Sequence, residues 1–329
     1  MKRMTVLLIA VVAGCVLLCA AEDVRRAGRN PIVRVVTISQ AELHGDRLDD
    51  TMSRLSQAAV FRPDIACLPE VFSDRTPEAV PGPVTERLAR WAREHSSYVI
   101  FGLKTSVGGR VYNSAVLIDR TGRVAGRYDK MHPTENELAE GTTPGDTDQS
   151  VFETDFGTIG VQICFDINWW DNWKRLRRKG AKIVFFPSAY PAARQLSALA
   201  LMNQCYIVSS ARRGMSKIYD ISGDVLASSG NHQQWAAAAL PLGKRLFEVD
   251  FHAKKVRQIQ EKYGSRVEVV WFHDDDWFTL ASLDPDLTTE DVISEFGLTP
   301  LDDYRVRAAK AVDKARVEGA AAKPGIGKP

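Results

Sequence analysis

Three short segments, each suited to a strand, stop on three different reactive groups. Ile65-Ala66-Cys67-Leu68-Pro69 ends at Glu70, Gly126-Arg127-Tyr128-Asp129 ends at Lys130, and Phe156-Gly157-Thr158-Ile159-Gly160-Val161-Gln162-Ile163 ends at Cys164. Apolar, β-branched runs of this length read as strands, and in α/β folds the functional groups gather where strands end. Taken alone, Cys164 reads as one more small core residue, as most free cysteines are. A carboxylate and an amine at two comparable strand ends reverse that reading and make the thiol a candidate nucleophile. The stretch 168–179, rich in Trp and Arg, reads as a helix, and a helix N-terminus beside a thiol favours thiolate.

The rest of the pattern is also α/β. Strands are expected at residues 32–38, 98–103, 114–119, 124–128, 183–186 and 207–210, and helices at 47–59, 87–94, 192–205 and 302–319. Arg120-Thr121-Gly122-Arg123 reads as the turn of a hairpin.

Glu, Lys and Cys in this order, each in this local context, resemble the nitrilase or carbon-nitrogen hydrolase superfamily. The phrases that carry the likeness are Leu68-Pro69-Glu70, Tyr128-Asp129-Lys130-Met131-His132 and Gly160-Val161-Gln162-Ile163-Cys164-Phe165-Asp166. Thr143-Pro144-Gly145-Asp146 and the segment Gly214-Met215-Ser216-Lys217-Ile218-Tyr219-Asp220 fit as well, so the likeness covers roughly residues 31–250. It implies an α-β-β-α sandwich, two mixed sheets face to face with helices outside, and by analogy a homodimer. It also implies roles. Cys164 attacks; Glu70 moves protons to and from the thiol, the leaving amine and the hydrolytic water; Lys130 faces the developing anion, with backbone N–H groups of the turn at Cys164 and Phe165. For the supporting glutamate of the family there are two candidates, Glu137 and Glu140, of which Glu137 is favoured. Phe165, Asn168 and Trp169 after the nucleophile, and Ser188 and Ala189 at the end of the strand at 183–186, are the expected substrate-binding edges. His132 is expected in a structural role near the lysine.

The implied reaction is hydrolysis of a small linear amide or N-carbamoyl compound through a cysteine thioester, with ammonia or an amine released. A nitrilase or acyltransferase with the same trio is the alternative, and a non-catalytic binding protein on this scaffold a further one. One departure touches the substrate: where many members have Arg-Ala-x-Glu-Asn, this chain has Leu199-Ala200-Leu201-Met202-Asn203. Recognition of a substrate carboxylate would then fall to other cations, with Arg194, Arg212 and Arg213 available.

Six histidines lie scattered without metal-ligand spacing, so neither metal nor cofactor is expected. A net charge of +2 and the lack of a basic stripe or phosphate loop argue against nucleic-acid partners. With 329 residues, 45% hydrophobic and 26% charged, the chain is long enough for a large core. Residues 1–21 have the charge, apolar core and small-residue end of a secretory signal, too short for the span of about twenty residues that a membrane needs. Export is therefore expected, with lipid attachment at Cys15 or an uncleaved anchor as alternatives. Removal of the leader leaves Cys67, Cys164 and Cys205, an odd number that fits a reactive thiol better than a disulfide framework. The expected division is a leader at 1–21, a hydrolase domain at 31–282 and a helical extension with a flexible tail at 283–329.

Overall fold

The computed structural model of the chain describes residues 30–148, 151–250 and 252–322. The leader, lipid site and anchor expected within residues 1–21, and the tail expected at 323–329, lie outside the described residues.

Two compact units divide the chain, Met1–Leu242 and Gly243–Pro329. In the first, β1 (Ile32–Ile38), β2 (Ile65–Cys67) and β3 (Tyr98–Val107) run parallel, and β4 (Arg110–Ile118) and β5 (Val124–Asp129) follow antiparallel. A second sheet is built alike: β7 (Gly157–Val161), β8 (Ile183–Ser188) and β9 (Tyr206–Ala211) are parallel, with β6 (Phe152–Thr154), β10 (Lys217–Tyr219) and β11 (Val225–Ser228) antiparallel at its flanks. β12 (Trp235–Pro241) then pairs antiparallel with β1, giving the orders β12-β1-β2-β3-β4-β5 and β11-β10-β9-β8-β7-β6.

Helices cover the outer faces. α1 (Arg47–Ala58) starts where the Asp46 side chain accepts the Asp49 N–H, and α2 (Pro83–His95) starts with proline in its first turn. Met52, Leu55 and Ala58 of α1 and Val84, Leu88 and Trp91 of α2 form one stripe each, and both stripes pack on Val36, Ile38, Ala66, Val99 and Phe101. Past the short α3 (Glu135–Ala139), α4 (Trp170–Arg178) and α5 (Ala193–Asn203) cover the second sheet in the same way, through Trp173, Leu176, Leu196 and Leu199 on Val184, Phe186 and Ile207. Each fully buried Leu or Phe here contributes about 2 kcal/mol. The inner faces meet through hydroxyls as well as apolar side chains: Thr37 Oγ1 donates to the Ser209 carbonyl at 2.7 Å and Ser210 Oγ to the Ile38 carbonyl at 2.6 Å. Strands buried on both sides explain the near-continuous apolar runs of the sequence, and the sandwich is the expected α-β-β-α one.

The second unit is an antiparallel sheet, ordered β13-β15-β14, of β13 (Arg245–Glu248), β14 (Val267–Phe272) and β15 (Trp277–Ser282). Its core joins Phe247, Phe278 and Leu280 to Val256 and Ile259 of α6 (Ala253–Tyr263) and Val292 of α7 (Thr289–Phe296), and α8 (Leu301–Ala322) follows. The expected boundary after residue 282 does not coincide with this division. β15 ends there but pairs with both β13 and β14, so cutting at 282 would part the sheet from the helix α7 that packs on it. Among the described residues no helix is long and apolar enough to cross a membrane.

Candidate active site

Glu70 stands just past β2, Lys130 just past β5 and Cys164 just past Ile163, which follows β7, and all three line one cleft of about 390 Å³. The close passage of β3 fixes the glutamate: a Cβ at Gly102 would lie 2.4 Å from Glu70 Cα, so only glycine fits. Directly after it, Val71 is left-handed at φ 44°, and Cys164 is left-handed at φ 47°. Non-glycine residues rarely adopt this region, a β-branched one least of all, and such strain concentrates at functional sites.

Lys130 is 1% exposed, yet its Nζ donates to Glu70 Oε1 at 3.0 Å and to Glu137 Oε2 at 2.7 Å. Asn113 on β4 ties the same carboxylates together from the other side, donating through Nδ2 to Glu70 Oε1 at 2.8 Å and Glu137 Oε1 at 2.6 Å. Burial pulls the lysine pKa down, but the charges of Glu70, Cys164 and Glu137 outweigh it and hold the amine well above its ordinary range. For Glu137 burial acts upward, and Lys130, with the Thr134 N–H and Asn113, brings the carboxyl down to about 2. Glu70 Oε2 is buried without a hydrogen-bond partner, and Arg212 Nη2 stands 3.6 Å from it.

The thiol of Cys164 is pushed up to about 11, first by burial and then by the Glu70 charge, against the pull of Lys130, the Ala189 N–H and the Ser188 hydroxyl. One buried carboxylate holds the turn. Asp166, with no exposed surface, accepts from the Ile163 N–H at 3.1 Å, the His132 N–H at 2.9 Å and the Tyr128 hydroxyl at 2.8 Å, and lies 3.0 Å from His132 Nδ1. One carboxylate thereby joins the segment that carries Lys130 to the one that carries Cys164.

Of the expected residues, Glu70, Lys130, Cys164 and Glu137 come together. Glu140 lines the cleft too, but its contact is Arg75 at 3.7 Å, so Glu137 is the partner of the lysine. Ser188 and Ala189 both bond the sulfur, and of the two only Ala189 lines the cleft. Phe165, Asn168 and Trp169 do not line the cleft. The 3₁₀ turn Cys164–Asn168 carries them away from it: Asn168 Nδ2 bonds the Phe165 carbonyl at 3.0 Å, and Trp169 stacks on His132 with centroids 3.6 Å apart. His132 has the structural role expected of it, and Cys67 and Cys205 are buried core residues. Asn113, Asp166, Lys104 and Arg75 escaped the sequence reading. Only the interruption of an apolar strand by Tyr112-Asn113-Ser114 signalled any of them. Among the described residues no group of three or more His, Cys, Asp or Glu is placed to hold a metal.

Two mixed sheets stacked beneath helices, with glutamate, lysine and cysteine drawn to one cleft from three strand ends, define an α-β-β-α hydrolase. The chain belongs to the carbon-nitrogen hydrolase family and is an enzyme of that family, whose sequence profile, described as carbon-nitrogen hydrolase, matches residues 33–244. It is 27% identical over 231 residues to the omega-amidase of Xenopus tropicalis, covering 60% of this chain and 83% of that protein. It is 29% identical over 158 residues to the deaminated glutathione amidase of a Synechocystis strain, covering 40% of this chain and 58% of the relative. Solved structures share the fold: a carbon-nitrogen hydrolase from Helicobacter pylori G27 superposes with a TM-score of 0.57 at 18% identity, over 70% of this chain and 93% of that one. An amidase from Nesterenkonia sp. does so with a TM-score of 0.56 at 18% identity, over 69% of this chain and 95% of that one.

Proposed function

We propose that the protein is a thiol amidohydrolase that cleaves a small linear amide through a cysteine thioester and releases ammonia. The observation that carries this reading is that Lys130 Nζ lies 3.0 Å from Glu70 Oε1 while Cys164 shares the cleft and feels both charges. A thiol held at about 11 is protonated at neutral pH, so it needs a base at the moment of attack. Glu70 Oε2, buried and without a hydrogen-bond partner, is the acceptor at hand. As Sγ bonds to the amide carbon, the thiol proton passes to Glu70 and the carbonyl electrons move onto oxygen, where the Lys130 ammonium meets them. Collapse of the intermediate breaks the C–N bond. The nitrogen takes the proton from Glu70, and ammonia departs. Glu70 then accepts a proton from water, the hydroxide adds to the thioester, and the acid leaves as the proton returns to sulfur. The raised pKa of Lys130 keeps it cationic throughout, and Glu137 and Asn113 hold it in place.

The amidase names of the two relatives favour an amide over a nitrile as substrate. The test is ammonia release from short amides, N-carbamoyl amino acids and nitriles by the wild type and by Cys164→Ala. Release from amides by the wild type alone is expected. Release that persists in Cys164→Ala, or that comes from nitriles only, contradicts the proposal.

A further inference from the structure

Almost all of the unit Gly243–Pro329 lies beyond residue 244, where the family profile ends. In its sheet, ordered β13-β15-β14, the two outer strands are edges. Edges are normally blunted by shortness, charge, proline or a bulge, because a row of unpaired N–H and C=O groups otherwise captures another strand. β13 fits that rule: it is four residues long and is bounded by Arg245 and Glu248. β14 does not. Val267-Glu268-Val269-Val270-Trp271-Phe272 is six residues long and rich in the β-branched and aromatic side chains that favour strands. It keeps unbroken register with β15, and its one charge, Glu268, is paired with Lys244 at 2.8 Å. Among the described residues only β15 pairs with it, so alternate residues turn their N–H and C=O groups away from the sheet.

The core of the unit is open along the same strand. Val269 and Trp271 pack on the cluster built around Phe247, Phe278 and Leu280 but stay only partly buried, and Val270, on the opposite face, is 39% exposed. The two ends of the strand carry opposite charge. Arg266 precedes it, with a half-exposed side chain that donates to Asp284 through Nε at 2.5 Å. His273-Asp274-Asp275-Asp276 follows, exposed throughout, and neither Asp274 nor Asp275 has an ion pair among the described residues. A neighbouring strand that fits this edge therefore has an acidic end to set beside Arg266 and a basic end to set beside the aspartates. Run antiparallel, β14 itself has both; run parallel, it sets like charge against like.

We propose that β14 is a self-association edge: a second copy of the chain adds its own β14 antiparallel about a dyad at Val270, and two three-stranded sheets become one of six strands. Such a contact is isologous, the same surface meeting itself. Val270 meets its own copy, Val269 of each chain meets Trp271 of the other, and Arg266 of each meets Asp274 of the other. Residues that face each other across a pair share one side of the sheet, so this register keeps the helix-covered faces of both copies together and covers Val269 and Trp271 further. A slip of one residue sets these core-facing side chains against the opposite face.

The test uses the full chain. Sedimentation equilibrium, run from dilute to concentrated solution, compares the wild type with Val270→Lys, which sets two like charges together at the dyad and alters a side chain outside the core cluster. The wild type should reach about twice the mass of the variant, with equal unfolding midpoints. Equal masses overturn the proposal, also where both proteins are dimers, since assembly then uses another surface. Reversing the acidic end with Asp274→Lys and Asp275→Lys in one chain should weaken association severalfold, and an unchanged association constant overturns the antiparallel arrangement. Hydrogen exchange of the wild type decides the matter without any variant. The outward-facing amides of β14 should be protected in concentrated solution and lose that protection on dilution, whereas amides that exchange freely at every concentration overturn the proposal.

Discussion

Replacing Glu137 by glutamine keeps its shape and removes its charge, and the structure fixes what each atom then meets. Both carboxylate oxygens receive donors: Oε1 the Asn113 amide at 2.6 Å, Oε2 the Lys130 ammonium at 2.7 Å and the Thr134 N–H at 2.8 Å. Whichever way a glutamine amide is turned, its NH₂ faces a donor. Lys130, at 1% exposure, has no water to turn to. The descent of the Glu137 pKa from its ordinary 4.5 to about 2 is worth about 3 kcal/mol at about 1.4 kcal/mol per pH unit. Screening at the mouth of the cleft reduces that to about 2 kcal/mol. Because the folded pKa lies below the unfolded one, this contribution is fully present above pH 4.5 and is lost as pH falls toward about 2. Urea unfolding of wild type and Glu137→Gln should therefore differ by about 2 kcal/mol at pH 7, with the gap narrowing below pH 4.5. Ammonia release should fall by about 10²-fold in kcat, the scale of losing a positioned oxyanion donor. Glu137 also closes the capping box of α3 with Thr134, and a cap alone is worth about 1 kcal/mol. A variant that loses only that much stability and keeps kcat within threefold refutes the claim that Glu137 positions the lysine.

Alkylation of Cys164 by iodoacetamide should be slow at pH 7 and climb through the alkaline range toward about 11, the thiol being held up by burial and then by Glu70. Glu70→Gln removes that charge, so alkylation at pH 8 should quicken while ammonia release falls by about 10²-fold or more; slower alkylation in the variant contradicts the electrostatic account. Asp166→Asn sets an amide NH₂ against the Ile163 and His132 N–H groups or the Tyr128 hydroxyl, and should lower stability by about 3 kcal/mol together with kcat. Calorimetric unfolding within about 0.5 kcal/mol of wild type would show that the carboxylate does not join the two segments. Gly102→Ala places a methyl 2.4 Å from Glu70 Cα and should cost about 1–3 kcal/mol; an alanine variant of unchanged stability and activity would mean that Glu70 is not held by β3.

The catalytic trio was legible because each member ends a strand-like run, buried before Glu70 and Cys164 and the second strand of a hairpin before Lys130, and because the three together match the family's pattern. Asn113 was not, since its role depends on a glutamate 43 positions away, and Asp166 was not, since it acts on a histidine 34 positions away. Phe165, Asn168 and Trp169 were expected at the pocket because they follow the nucleophile in sequence. The left-handed Cys164 and the tight turn after it send them elsewhere. β3 was expected to stop at residue 103 but continues to Val107, where Gly108 and Gly109, with φ of 57° and 76°, form the tight turn into β4; the Gly-Gly pair is a hairpin signal that was there to be read. In the second unit Val256, Ile259 and Tyr263 have helical spacing, but the family likeness fades near Asp250. The pairing of β15 with both β13 and β14 is a tertiary fact that no local pattern carries.

The central claim is that carbon–nitrogen cleavage proceeds through a bond to Cys164. Its most direct test is acid quenching of the wild-type enzyme during the first turnover of a short amide from which it releases ammonia, followed by mass spectrometry of the intact protein and its peptides. The account predicts an added acyl group confined to the peptide that contains Cys164 and absent from Cys164→Ala. Ammonia release without any adduct, continuing in Cys164→Ala at the wild-type rate, would contradict it.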